Sequence, residues 1–206
     1  MAVTTDSVVE WMNRFSREMA EHREELVRLD TAIGDGDHGT NMDRGMRKAL
    51  EKLNASEPAD PGAALKTVAM ALISSVGGAA GPLYGTLLLQ MGTGLGSEAE
   101  ADLARYAEAW RKGLDAVKAR GKAEPGDKTM VDALLPAVEA LEGASDLDSG
   151  LSAAAQAAEE GMKATIPLVA RKGRASYLGE RSKDHQDPGA TSTYYLFKSA
   201  AEALAG

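Results

Sequence analysis

Three carboxylates, Asp30, Asp35 and Asp37, fall within the run Asp30-Thr-Ala-Ile-Gly34-Asp35-Gly36-Asp37-His38-Gly39-Thr40-Asn41. Anions this close repel unless a cation joins them. Carboxylate oxygens without a thiolate suit a hard ion, Mg2+ or Ca2+. Glycines at 34, 36 and 39 let the backbone turn sharply enough to aim the carboxylates at one point. Two familiar readings of the run fail. Gly34, Gly36 and Gly39 match G-x-G-x-x-G, but no strand precedes them and two aspartates inside the loop would oppose a bare pyrophosphate. An EF-hand counted from Asp35 would need an oxygen ligand, Gly and Glu where Gly39, Thr40 and Met46 stand. A solvated Asp/Gly turn between helices is the plain alternative.

Three other loops bear on the same chemistry. Val76-Gly77-Gly78-Ala79-Ala80-Gly81-Pro82 leaves backbone N–H groups uncovered at a helix start, a natural phosphate cradle. Close helix packing explains its small residues equally well. Residues 120–130, RGKAEPGDKTM, lack the spacing of a Walker A loop, and Asp127 or Thr129 could simply cap a helix. Residues 171–190 carry five basic and three acidic side chains in a chain of net charge -8. A basic loop on an acidic protein suits a lid over a metal-bound polyphosphate, with a merely solvated loop as the alternative. Together an acidic metal site, a phosphate cradle and a basic lid imply a Mg2+-nucleotide and phosphoryl transfer. No residue pattern names the acceptor.

The elements that must position these loops are helical. Apolar residues recur in steps of three and four almost throughout. A first helix carries Val8, Met12, Phe15, Met19, Leu26, Leu29 and Ile33, with Ser7 and Glu10 as a capping box and His22 as a core-edge histidine. Helices follow through Met42–Leu53, Leu65–Val76 (started by Asp60-Pro61), Leu83–Leu95 (started by Pro82), Leu103–Val117, Met130–Leu141 (kinked by Pro136) and Leu151–Met162. The last is capped by Asp187-Pro188 and ends near Leu204. The expectation is an all-α, single-domain fold of about eight antiparallel helices over residues 1–206, without strands. Residues 171–187 form a long polar loop of the kind that is usually functional.

Composition narrows the class. The 23 Lys plus Arg against 31 Asp plus Glu argue against nucleic acid or an anionic membrane surface as the main partner. The absence of Cys removes disulfides, thiolate zinc sites and a cysteine nucleophile. No apolar run approaches a membrane span, and Met1 to Asp6 do not read as a signal peptide, so a cytoplasmic protein is expected. Aromatics at 4 % imply a core filled by Leu, Val, Met and Ala.

AIGDGDHGTNM at 32–42, SSVGGAAGPLYG at 74–85, RGKAEPGDKTM at 120–130, ARKGRASYLGERS from 170 and HQDPGATS to 192 resemble, in family order, the nucleotide-binding L subunits of dihydroxyacetone kinase. The resemblance implies an eight-helix barrel with ADP or ATP at one end and Mg2+, two ions, bridging the phosphates. It makes Asp30, Asp35 and Asp37 the metal ligands. His38, Gly39, Thr40 and Asn41 would flank phosphates and ribose, Ala79 and Ala80 lie on the phosphate loop, and Gly121 and Met130 lie near the nucleoside. Arg174 and the turn Asp187-Pro188-Gly189 would close over the site.

The implied acceptor is dihydroxyacetone held on a separate K subunit. The donor divides into two alternatives: ATP exchanging as a substrate, or ADP retained and rephosphorylated by a phosphotransferase-system phosphoprotein, the M subunit. A related module for a four-carbon ketose or a protein-bound fatty acid, and a nonenzymatic nucleotide-sensing regulator, are the competing functions. Two departures from the family pattern stand out: Ala80 where Ser is usual, and Asp184 where Gly is usual before His185.

Overall fold

The computed structural model describes residues 2–204. The chain opens with β1 (Val3–Thr4), followed by α1 (Thr5–Glu21), α2 (Arg23–Ile33), α3 (His38–Ser56), α4 (Pro61–Ser75) and α5 (Ala80–Leu95). Next come β2 (Glu100–Ala101), α6 (Leu103–Gly121), α7 (Val131–Glu142) and α8 (Leu147–Ala164). A 3-10 segment, Arg174–Ser182, and α9 (Pro188–Leu204) complete it.

The helices form a closed ring. In the order α1, α3, α4, α5, α6, α7, α8, α9, each packs on the next, and α9 packs back on α1. Helix α2 runs on from α1 and lies against α3 and α9. Among the described residues, eight ring members plus this continuation account for nine α-helices where the periodicity predicts about eight. The break falls at His22 (φ -96, ψ 12), which ends α1 and begins α2. Its ring stacks on Tyr195 of α9 at 4.2 Å and lies between Glu18 and Glu25. Apolar periodicity runs straight through this junction, so the break is invisible to it.

Two further expectations need correction. Helix α1 is capped by Thr4 and Ser7, not Ser7 and Glu10: each of the pair accepts from the other's backbone N–H. The cause is β1, which pairs antiparallel with β2 and holds the chain extended up to Thr4. That short pair is also the strand content the sequence did not announce. The core, moreover, is not built from aliphatic residues alone. Trp11, Trp110, Tyr84, Tyr106, Phe15 and Phe197 are all fully buried. Trp110 stacks on Phe197 at 4.2 Å and tilts against Trp11 at 5.6 Å, so α1, α6 and α9 meet through their large rings.

Asp60 caps α4 through the Ala63 N–H at 2.6 Å with Pro61 in the first turn. Helix α5 begins at Ala80, ahead of Pro82, and α7 begins at Val131 with Met130 as its N-cap. Pro136 lies inside α7. Residues 171–187 are not structureless. The 3-10 segment packs Ala175 against Ile33 and Ala170, and buried Ser182 accepts from the Ala170 N–H at 2.8 Å. Among the described residues no helix is long and apolar enough to cross a membrane.

Candidate functional site

One end of the ring opens into a cavity of about 420 Å³. Its walls come from five places: the α2–α3 turn, the α4–α5 turn, the α6–α7 connection, residues 172–175 and the start of α9.

The α2–α3 turn presents the carboxylates. Asp30 sits in the last turn of α2 and is buried; its Oδ2 accepts from the N–H groups of Asp37 (2.8 Å) and His38 (3.0 Å). Those two bonds tie the start of α3 to the end of α2. Gly34 is required by close approach: a Cβ there would stand 2.1 Å from Asp30 Oδ1. Gly36 is required by its φ of 75°. Oxygens of Asp30, Asp35 and Asp37 lie within 4.8 Å of one another. From the other side Arg174 Nη2 reaches Asp35 Oδ2 at 3.0 Å. An all-oxygen trio on a cavity wall, drawing in a guanidinium, fits a hard divalent cation such as Mg2+.

Opposite lies the α4–α5 turn. The N-cap position of α5 is Ala79, which offers no side-chain cap, so the first amides of α5 have no partner from that residue. Such a terminus favours anions. Both Ala79 and Ala80 line the cavity. An apolar wall follows: Leu83 on α5, Val117 on α6, and Ala123, Met130 and Val131 on the α6–α7 stretch. Arg120 and Gly121 stand at its edge.

The start of α9 supplies a polar floor. Asp187 caps the helix through the Ala190 N–H at 2.7 Å. Burial pushes its carboxyl up to about 7, with the Ala190 N–H opposing and the nearby Asp132 and Asp30 charges adding to the rise. His38 Nε2 lies 2.8 Å from Ser192 Oγ, which lies 2.7 Å from Tyr84 Oη; Tyr84 Oη in turn reaches Thr193 Oγ1 at 3.1 Å. Burial holds the His38 imidazole below the ordinary histidine range, against the pull of Asp30 and Asp37.

Of the residues singled out by sequence, Asp30, Asp35, Asp37, His38, Asn41, Ala79, Ala80, Gly121, Met130, Arg174, Asp187, Pro188 and Gly189 all line this cavity. Gly39 and Thr40 do not. Gly39 faces α2, where a Cβ would meet the Arg23 carbonyl at 2.2 Å, so it is a helix-packing glycine. Thr40 is exposed on α3 outside the wall. Residues that sequence reasoning passed over are Tyr84, Ser192 and Lys128. All three lie inside the motifs quoted above, but their roles depend on contacts with residues distant in sequence.

The chain can be set beside known proteins. The DAK2 domain family matches residues 32–202. The chain is 44 % identical to the PEP-dependent dihydroxyacetone kinase, ADP-binding subunit DhaL, of Escherichia coli, covering 98 % of this chain and 99 % of that one. It is 41 % identical to the PTS-dependent counterpart of Lactococcus lactis, covering 98 % and 100 %. Among solved structures it resembles the dihydroxyacetone kinase of C. freundii in complex with AMP-PNP and Mg2+, with a TM-score of 0.72 and 26 % identity over 96 % of this chain. It spans about a third of that longer chain (33 %). The fold, the order of the loops and these full-length matches agree: this chain belongs to the DAK2-domain family, among the DhaL-type subunits of dihydroxyacetone kinase.

Proposed function

We propose that the chain is the nucleotide-binding, phosphoryl-transferring subunit of a cytoplasmic dihydroxyacetone kinase, acting on a ketose held by a separate K subunit. The observation that carries this reading is the pairing, across one cavity, of the carboxylate trio with the uncapped start of α5. Asp30, Asp35 and Asp37 would hold Mg2+. When bound there, the metal supplies charge neutralisation on the phosphate oxygens. The α5 amides donate to phosphate oxygens, the apolar wall from Leu83 to Val131 accepts a flat base, and Arg174 supplies positive charge above the cluster. Asn41, Gly121 and the Asp187-Pro188-Gly189 turn complete the enclosure, and Gly39 lets the start of α3 pack closely on α2.

The name of the Escherichia coli relative, PEP-dependent and ADP-binding, supports a retained ADP recharged by an M-type phosphoprotein over freely exchanging ATP. Relatives named L-erythrulose 1-kinase and D-erythrulose kinase share 37 % and 39 % identity, but this chain covers only 35 % and 33 % of them. The near-complete coverage of the DhaL subunits therefore favours dihydroxyacetone over a four-carbon ketose.

Among the described residues the cavity is lined by the carboxylate trio, the start of α5, the apolar wall and the start of α9. A triose offers little binding energy of its own for orientation. The purified chain should therefore leave free dihydroxyacetone unphosphorylated, and a K subunit with a phosphoryl donor should restore turnover. Asp37→Ala should abolish that turnover. Robust product formation by the chain alone would refute the division of labour.

A further inference from the structure

Lys128 has no part in the reading above, yet it is 1 % exposed and carries a formal charge. Among the described residues its partners are backbone carbonyl oxygens. Nζ donates to Thr165 (2.8 Å), Leu168 (3.0 Å) and His185 (2.5 Å), and more weakly to Ile166 at 3.3 Å. An ammonium has three protons, so two of the four carbonyls share one. No carboxylate joins this group; Asp187, Asp184 and Asp132 act on it from farther off. Burial lowers the lysine's pKa, and converging carbonyl dipoles are what keep such a charge tolerable.

The carbonyls belong to two separate stretches of chain. Thr165, Ile166 and Leu168 follow α8 and lead into the segment 171–187; His185 stands near its end, before α9. The two stems also bond to each other, Asp184 N–H to the Ile166 carbonyl at 2.8 Å and Asp187 N–H to Thr165 Oγ1 at 3.0 Å. One stem is tied to the lysine's own loop by Arg171 N–H donating to the Asp127 carbonyl at 3.0 Å. Beyond the clamp on one side stands Arg174, which reaches Asp35; beyond it on the other stands the Asp187–Gly189 turn of the cavity.

From this geometry we infer that Lys128 is a positioning residue whose ammonium, caged by the carbonyls of Thr165, Leu168 and His185, clamps the two stems of segment 171–187 and so sets where Arg174 and Asp187 stand at the cavity. Although Lys128 lines the cavity, its ammonium bonds only these carbonyls among the described residues and makes no ion pair with the carboxylate trio. The nucleotide arm of its test rests on the proposed function; the loop arm does not.

The test uses the full chain with Lys128→Met, which keeps an unbranched apolar stem one atom shorter and removes the ammonium. Amide hydrogen exchange without nucleotide should quicken at least tenfold over residues 165–187 and stay unchanged in α1 and α4. Calorimetry with Mg2+-ADP should show Kd raised about tenfold or more. In Lys128→Ala, ethylammonium should restore protection of 165–187 where equal sodium chloride does not, a rescue that a purely space-filling lysine would not permit. Exchange and Kd within twofold of wild type would overturn the inference. Should Lys128→Met not fold, Lys128→Gln, which keeps two donors, is read in the same way; unfolding of both would also overturn it, because the role would then be global. A wild-type chain that fails to bind Mg2+-ADP would count against the nucleotide reading instead, with hydrogen exchange still deciding the clamp.

Discussion

Arg174 Nη2 lies 3.0 Å from Asp35 Oδ2, so a residue of the basic segment reaches across the cavity to the acidic trio. The pair is partly exposed, with side chains 67 % and 34 % accessible, and by itself it adds little stability. Its weight is positional: it sets a cation where the trio gathers negative charge. Asp35→Asn removes a ligand charge and this contact together. Mg2+-ADP affinity should fall tenfold or more while helicity is retained. Calorimetry and circular dichroism measure both, and unchanged affinity would refute the metal assignment.

The same contact bears on proteolysis. Residues 171–187 present Arg174 and Arg181 to trypsin, and Tyr177 between them is 87 % exposed. Mg2+-nucleotide gives Arg174 a stronger, charge-assisted partner, so cleavage at both arginines should slow when it is bound. Equal cleavage rates with and without it would refute the closure.

Gly34→Ala places a methyl group where Asp30 Oδ1 now stands, 2.1 Å from the ideal Cβ. Asp30 must then swing away and release the Asp37 and His38 amides. Loss of two hydrogen bonds to a carboxylate is worth about 1.5–3 kcal/mol each. Loss of Mg2+-ADP binding together with a lower melting temperature is the expected result, read by calorimetry and thermal unfolding.

Asp187 gives a pH signature. Its folded-state pKa is raised to about 7, so the fold prefers the protonated form. That contribution is complete below the ordinary aspartate range and is lost as pH rises through about 7. Asp187→Asn removes the titration. Relative to wild type without nucleotide, the variant should therefore be more stable at pH 8 than at pH 5, a difference that urea unfolding at the two values would resolve.

Asp184 stands at φ 65°, a left-handed conformation that glycine adopts without strain. Asp184 therefore carries a backbone cost that glycine at this position would not. Asp184→Gly should raise stability by about 0.5–1 kcal/mol, net of the greater freedom glycine has when unfolded. Chemical denaturation is the check.

Much of this was legible in advance where a local rule decides. Asp60-Pro61 start a helix by capping and fixed φ, and the close spacing of the three aspartates already implies that their oxygens gather, as they do within 4.8 Å. The break at His22 was hidden because its cause, the face of Tyr195, lies at the far end of the chain. The Thr4 cap was hidden because it depends on Glu100 and Ala101. Lys128 was hidden because a lysine in a Gly/Pro-containing turn reads as solvated; only the folded chain gathers the carbonyls that bury it. Gly39 looked like part of the site because its neighbours are; its real constraint is the backbone of α2.

His38 and Ser192 are separated by 154 positions, and the ring between them closes only when α9 meets α1. On the ribosome, the carboxylate trio thus emerges well before the floor beneath it. A nascent chain still lacking α9 has its acidic turn but no Ser192 and an open ring. The floor of the cavity is therefore a property of the closed ring, and a chain truncated before α9 would keep the acidic turn without it.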